Sequence, residues 1–422
     1  MNMKIRKSTI IQYFLIYVLI CFQGSLNFRY YNTAFIVITF FAAAFVILKK
    51  YHQIPKHYIL FLIILVMSLI LEVLLTDGGV YASSIVSIMT RYLIVLSAYW
   101  YMKDKFIDRY IKTVVSLALI SIVGFAISTA APSVLKSIMV VHNETFSNYW
   151  STYTVSFYGG TLFAFSPSYT RNIGIFHEPG LYQIVLNSAL YLMLFKRNKL
   201  NVTQKTYDFY MLVIVITLLT AMSTTGIVGM IALFGVYFLF YKNQSQSKIK
   251  WFILGGAVAV IVASFFAGDD GYLNKYVLSK IFSEQGKVDF SNSTGNSRIL
   301  SLISDLTIFK QHPFGIGYLN YNRAFQNNLL DKTISDTSSC VGLTQVLAIL
   351  GIIVFLIIMC YYLFLMRKNL SRTEKIAFSI FFLNTSLAQP YIWFPAIVVL
   401  LLISNPQTEG DNFELSKYFN KN

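Results

Sequence analysis

Residues 58–75 read YILFLIILVMSLILEVLL, an apolar run broken only by Glu72. At 1.5 Å rise per residue a helix of this length reaches roughly 27 Å, close to the thickness of a bilayer's hydrocarbon core. Working outward, further apolar runs lie near 8–23, 33–48, 82–101, 113–131, 179–195, 209–222, 225–241, 251–267, 341–365, 376–389 and 391–404. The pattern predicts an all-α polytopic membrane protein of about twelve transmembrane helices. The last two runs are short, and almost nothing separates 209–222 from 225–241. Residues 1–422 are expected to form a single membrane domain.

Composition supports this reading. Hydrophobic residues make up 56% of the 422 residues and charged residues 12%, with a mean hydropathy of +0.60. A soluble domain carries about 25% charged residues, so too little charge remains for a water-facing surface of this size. The net charge of +16 does not point to nucleic acid, because Lys and Arg fall in short clusters between the apolar runs. Cys21, Cys340 and Cys360 are too scattered for a disulfide framework or a metal site. No small-residue cleavage site follows the first run, so that run is expected to stay as a helix.

Orientation follows from the basic clusters. With a cytoplasmic N-terminus, the inner segments carry Lys4, Arg6, Lys7; Lys49, Lys50, Lys56; Lys103, Lys105, Arg109, Lys112; and Lys196, Arg197, Lys199, Lys205. Later ones carry Lys242, Lys248, Lys250; Arg367, Lys368, Arg372, Lys375; and Lys417, Lys421, whereas the short outer loops contribute only Arg29. The positive-inside rule therefore predicts that both termini are cytoplasmic.

Two long connections, 132–178 and 268–340, fall on the outside, and loops of that length are usually functional. In the second, Tyr272, Leu273, Tyr276, Val277 and Phe282 share one helical face, as do Ile299, Leu302, Ile303 and Leu306. Asn296 or Ser297 would cap the latter helix and His312-Pro313 would end it, giving helices that lie in the outer interface. The sequons at Asn143 and Asn292 carry little weight in a chain rich in Asn, Ser and Thr.

The sharpest candidate segment is Arg171-Asn172-Ile173-Gly174-Ile175-Phe176-His177-Glu178-Pro179-Gly180. Pro179 suits the first turn of a helix, with Glu178 at its cap. Free N–H groups and the positive dipole end there favour an anion, with Arg171 and His177 beside it, so a phosphate is a natural guest. The plainer alternative has Glu178 only capping the helix and Arg171 only meeting headgroups. A second segment joins Asn296-Ser297-Arg298 to His312-Pro313-Phe314-Gly315-Ile316-Gly317-Tyr318, where the Gly315 and Gly317 turn would let backbone approach a ligand. A turn with no ligand fits the same residues. Arg91, in mid-helix, is expected to line a polar cavity opening outward; for Glu72, near its helix end, a structural role is favoured. Arg29, Arg323, Asp305 and Asp336 are weaker outer-face candidates. No Walker loop, metal-ligand spacing, nucleophile elbow or series of intramembrane carboxylates occurs, which argues against an ATPase, a metalloprotease and a proton-driven pump.

These spans, the large outer loops, the Arg-x-x-Gly-Ile-Phe-x-Glu-Pro-Gly segment and the Asn-Ser-Arg…His-Pro-Phe-Gly-Ile-Gly pair resemble the bacterial O-antigen polymerase and ligase superfamily (Wzy-type). The likeness covers most of the chain in topology and about twenty-five residues in motif. It implies a metal-independent, inverting glycosyltransferase of GT-C type in the bacterial inner membrane, with two large periplasmic loops carrying interfacial helices. Its substrate would be undecaprenyl-diphosphate-linked glycan; membrane lipids, a flippase and chain-length regulator proteins would be its partners, with no nucleic acid and no cofactor. Arg171, Arg298 and Arg91 would bind the diphosphate, and Glu178 or His177 would serve the acceptor hydroxyl. Gly315, Gly317 and Arg323 would position substrate or loop. Ligases of the superfamily carry a His before the helix after the large loop; here that stretch reads Asp336-Thr337-Ser338-Ser339-Cys340, which favours a polymerase. A ligase, or a flippase of lipid-linked oligosaccharide, is the alternative.

Overall fold

The computed structural model describes residues 7–75, 82–131, 133, 144–146, 150–157, 160–165, 171–240, 255, 293–329 and 338–403. The amino-terminal half holds α1 (Lys7–Cys21), α2 (Leu26–Tyr30), α3 (Asn32–Lys50), α4 (Lys56–Leu75), α5 (Ala82–Met102) and α6 (Phe106–Ala130). Strands β1 (Glu144–Phe146), β2 (Trp150–Phe157) and β3 (Gly160–Phe165) follow. Then come α7 (Pro179–Phe195), α8 (Gln204–Ala221), α9 (Thr224–Phe240), α10 (Ser293–Gln311), α11 (Gly317–Asn328), α12 (Gly342–Asn369), α13 (Arg372–Ser386) and α14 (Pro395–Leu402).

Each expected span other than 251–267, of which only residue 255 is described, meets one of these helices. Among the described residues, four stretches are long and apolar enough to cross a membrane: Asn32–Gln53, Lys56–Leu75, Ser83–Ala130 and Gly342–Asn369. Shorter apolar helices stand at Lys7–Cys21, Pro179–Phe195 and Thr224–Phe240. A turn at Lys103, with φ +45°, divides the longest stretch into α5 and α6. The chain has the features of a multi-pass membrane protein.

Burial sorts the helices into centre and rim. α14 is buried along its whole length, and in α7 only Gly180 escapes full burial. α14 packs on α5, α7 and α12, and α7 on α6, α8 and α9. On the rim, α3 and α4 turn Phe41, Leu48, Met67 and Leu74 outward, with Leu48 83% exposed. In water such a band would drive aggregation; against lipid it costs nothing, since acyl chains are as apolar as leucine.

Two expectations are modified here. The helical reading holds for the bundle, but part of 132–178 is a small antiparallel sheet in the order β1-β2-β3, with a register shift at Val155/Ser156. β3 runs beside α6. The helix expected to start at Asn296 or Ser297 begins at Ser293, so neither residue caps it, while its end before His312 is as expected. That helix buries its more polar side. Ser301, Ser304, Asp305 and Ile308 face the protein, and Ile299, Ile303 and Leu306 are exposed. The face containing Tyr272 and Phe282, both sequons and Asp336 lie outside the described residues.

Candidate functional site

The segment before α7 is held by backbone and amide contacts. Leu26 N donates to Ile175 O at 2.9 Å, and Asn172 N donates to Thr220 O at 3.0 Å. The buried Asn172 amide donates to Ser121 Oγ and Thr220 Oγ1, at 3.2 and 3.1 Å, and accepts from Gly174 N at 3.2 Å. Gly174, at φ +57°, turns the chain against the Tyr182 ring. This frame delivers His177 and Glu178 to the start of α7. His177 Nδ1 donates to Gly24 O at 3.1 Å, which leaves Nε2 as the acceptor of the neutral ring. Glu178 occupies the N-cap, yet its side chain makes no capping hydrogen bond. The cap alone therefore does not account for this carboxylate.

Around Glu178 the helix starts converge. A Cβ at Gly180 would overlap the Gln389 amide nitrogen and lie 3.5 Å from Glu178 Oε1, so the missing side chain makes room for both groups. Gln389 also lies on the start of α12, where a Cβ at Gly342 would meet its carbonyl oxygen at 2.5 Å. One turn into α7, Gln183 packs on Gly226 in the first turn of α9, its Cβ 2.9 Å from a Cβ built there. Arg298 Nη2 donates to Thr225 Oγ1 at 3.5 Å, and Asn384 Nδ2 to Thr225 O at 2.9 Å. The amino ends of α7 and α9 thus pack together beside Glu178, Arg298 and buried amides, and Gln389 links the start of α7 to that of α12. Partial positive charge at helix starts favours an anion, and Arg298 adds a full charge.

Arg171 and Arg298 lie far apart in the sequence but near one turn in the fold. Asn172 is fastened to Thr220 and Arg298 to Thr225, so both arginines flank the turn between α8 and α9. Arg91 sits apart from that turn, at the far side of the 389–394 segment. Its Nη1 donates to Ser87 Oγ at 2.7 Å, its Nε to Phe22 O at 3.5 Å, and its guanidinium lies 5.1 Å from the Tyr391 ring centre. These contacts tie α1, α5 and the Tyr391 segment together. Glu72 is buried and lines a narrow slot with Ser68, Phe314 and Leu350.

The remaining candidates lie elsewhere. Gly315 and Gly317 hold positive φ, and the backbone that Gly315 approaches belongs to α12. Ile316 N donates to Ala348 O at 3.0 Å and Ile352 N to Pro313 O at 2.9 Å, seating the turn on the α12 kink at Gly351. Arg323 is exposed on α11, away from the buried Tyr321 and Phe325, and Arg29 is exposed on α2. Asp305 faces inward, fully buried: its Oδ1 accepts from Tyr321 OH and its Oδ2 from Thr344 Oγ1, each at 2.7 Å. Burial pushes its pKa up to about 6 against the pull of hydrogen bonds from Tyr321, Ser339 and Thr344. This clamp locks α10, and with it Arg298 two turns earlier, onto α11 and α12.

The sequence reading missed the amides Gln183, Asn187, Asn384 and Gln389. Their signal was present: isolated amides inside apolar runs, two of them four residues apart opposite a Gly-x-x-Gly pair, Gly226 and Gly229. No group of His, Cys, Asp and Glu suited to a metal occurs among the described residues.

The family model for O-antigen ligases matches residues 209–359. That stretch holds most of α8, all of α9 to α11, and α12 as far as Met359, including Thr225, Arg298, Asp305 and Thr344. The match supports membership of the O-antigen polymerase and ligase superfamily. No curated protein matches the chain. The superfamily match ends short of Glu178 on one side and Gln389 on the other, so the site joins matched and unmatched parts of the chain.

Proposed function

We propose that this protein polymerises undecaprenyl-diphosphate-linked oligosaccharide repeat units into O-antigen or a related surface polysaccharide at the outer leaflet of the bacterial inner membrane, with both termini in the cytoplasm. The reaction is an inverting, metal-independent glycosyl transfer of GT-C type. An acceptor hydroxyl attacks the anomeric carbon of the lipid-linked chain. The carbon–oxygen bond to the diphosphate breaks, and the lipid diphosphate leaves with the bonding electrons. The hydroxyl proton passes to the Glu178 carboxylate, with His177 Nε2 as the alternative acceptor. Arg298 and Arg171 neutralise the charge growing on the diphosphate, and Arg91 supports the far side of the site. A flippase supplies the repeat units and a chain-length regulator limits the product.

The observation that carries this reading is the Glu178 carboxylate, which makes no capping hydrogen bond at the start of α7, with Arg298 bonded to Thr225 at the start of the adjoining α9. Charge developing on a leaving diphosphate is what such preorganised donors stabilise. A second reading, transfer of finished chains to lipid A core, is favoured by the matched family's description. Against it stands the lack of any His after residue 312.

Complementation of a polymerase-null strain separates the two. The wild-type gene restores a ladder of repeats, while Arg298→Ala and Arg171→Ala, at normal membrane levels, leave a single capped unit. Losing one donor to a developing charge costs roughly 10²–10³-fold in rate. A strain that still polymerises but fails to transfer chains identifies a ligase. Normal ladders from both variants refute the diphosphate assignment.

A further inference from the structure

The buried amides around Gly180 are not saturated. Gln389, 6% exposed, leaves Oε1 without a hydrogen-bond partner among the described residues, and Gln183, 0% exposed, leaves Nε2 without one. The orientation of Gln183 follows from its neighbours. Asn187 Nδ2 donates to Gly226 O at 3.1 Å, which only an amide nitrogen can do, and the same nitrogen donates to Gln183 Oε1 at 3.0 Å. The unsatisfied end of Gln183 is therefore its N–H₂. One turn deeper, Asn187 Oδ1 is also buried and unsatisfied. Each such atom is costly to bury in an empty fold, and clusters of them mark places where something else completes the bonding.

The vacant set consists of one donor and two acceptors, all neutral, lying along one face of α7 next to Glu178. A phosphate accepts but has no hydrogen to give to Gln389 Oε1 or Asn187 Oδ1. An ammonium group donates but cannot accept from Gln183. Vicinal hydroxyls do both, each O–H giving one bond and taking another. We propose that Gln183 and Gln389 are specificity-determining residues that bind neighbouring hydroxyls of the acceptor sugar, beside the hydroxyl addressed by Glu178. This assignment rests on the glycosyl-transfer reading and divides the site. The arginines flanking the α8–α9 turn take the charged end of the donor, and the amides beside the start of α7 take a neutral sugar. Gly180 is part of the device, because any side chain there would occupy the space in which the Gln389 amide sits.

The test uses the full chain purified in detergent and two probes. One is the repeat-unit oligosaccharide released from its lipid by mild acid, so that it carries no phosphate; the other is inorganic pyrophosphate. Binding is followed by saturation-transfer NMR, with melting temperature as the check on folding. Wild type is expected to bind both. Gln389→Met and Gln183→Met, which keep length and lose the amide, should weaken the free sugar about tenfold each and leave pyrophosphate unchanged. Arg298→Ala should do the reverse. If a methionine variant melts early, Gly180→Ala takes its place, since it displaces the Gln389 amide without removing it. Unchanged sugar binding in folded variants overturns the proposal. So does a wild type that holds pyrophosphate but not the sugar, which would make the amides a water site. A chain that binds the sugar yet gives no ladder in the null strain leaves this assignment standing and removes the polymerase reading.

Discussion

Replacing Gly180 with alanine separates function from folding in this site. The added Cβ would overlap Gln389 Nε2 and lie 3.4 Å from its Cδ, with Glu178 Oε1 at 3.5 Å. The obstructing atom is the end of a flexible side chain, so the amide retreats by about an ångström to reach ordinary van der Waals separation. In a preorganised site, misplacement of that size costs about 10²-fold in rate, equivalent to about 2.7 kcal/mol in the barrier. Folding should not suffer, because alanine is favoured over glycine in a helix by roughly 0.5–1 kcal/mol. The expected result is a protein present at wild-type level that gives a sparse ladder in the null strain. Its rate on lipid-linked repeat units in vitro should fall about a hundredfold. The double variant Gly180→Ala/Gln389→Ala removes the clash and should be no worse than Gln389→Ala alone. A Gly180→Ala protein that polymerises at the wild-type rate, or losses that simply add in the double variant, would refute the idea that Gln389 acts from this position.

Other perturbations test the frame. Gly342→Ala and Gly351→Ala press a Cβ against backbone rather than side chain, Gln389 O and Tyr391 N in the first case and Phe314 in the second. Each should lower the melting temperature and the membrane level by a cost of about 1–3 kcal/mol or more, with Gly351 worse because its φ of +73° excludes most side chains. Lys196 and Glu374 form an ion pair at 2.7 Å with both side chains almost fully buried, and Glu374 also completes the capping box of α13. Lys196→Met leaves that carboxylate unpaired and should cost about 3–5 kcal/mol; adding Glu374→Gln should recover part of it, as read by melting in detergent. The Asp305 carboxyl is raised from 3.8 to about 6, so the fold prefers its protonated form. Its contribution is full below about pH 4 and lost as pH rises to about 6, a change of about 3 kcal/mol. Asp305→Asn keeps the Tyr321 hydrogen bond and should flatten the pH dependence of melting across that window.

What could be read from the residues differed with the range of the interaction. The apolar runs announced their helices because crossing lipid obliges each segment to satisfy its own backbone. Glu178-Pro179-Gly180 announced a helix start for an equally local reason, the fixed φ of proline. The surroundings of Gly315 could not be read: positive φ follows from the residue type, but the group that comes close, the backbone of α12, is a long-range partner. Asp305 depends on long-range partners in the same way. A carboxylate in a predicted outer loop looks solvated until Tyr321 and Thr344 close over it.

By itself the sequence determined a multi-pass helical membrane protein and the positions of most of its helices. Both depend on composition, periodicity or the conformational limits of single residues. The tertiary structure decided that α10 turns its polar face inward, and that Gln389 and Gln183, some two hundred positions apart, both pack near the start of α7, the first on Gly180 and the second against Gly226 of α9. It also decided that Asn172 and Arg298 are tied to the two sides of one turn. A linear pattern holds no information on which helix starts will meet. That is set by the packing of glycine faces against amides deep in the bundle, where a single Cβ would force the neighbours to move.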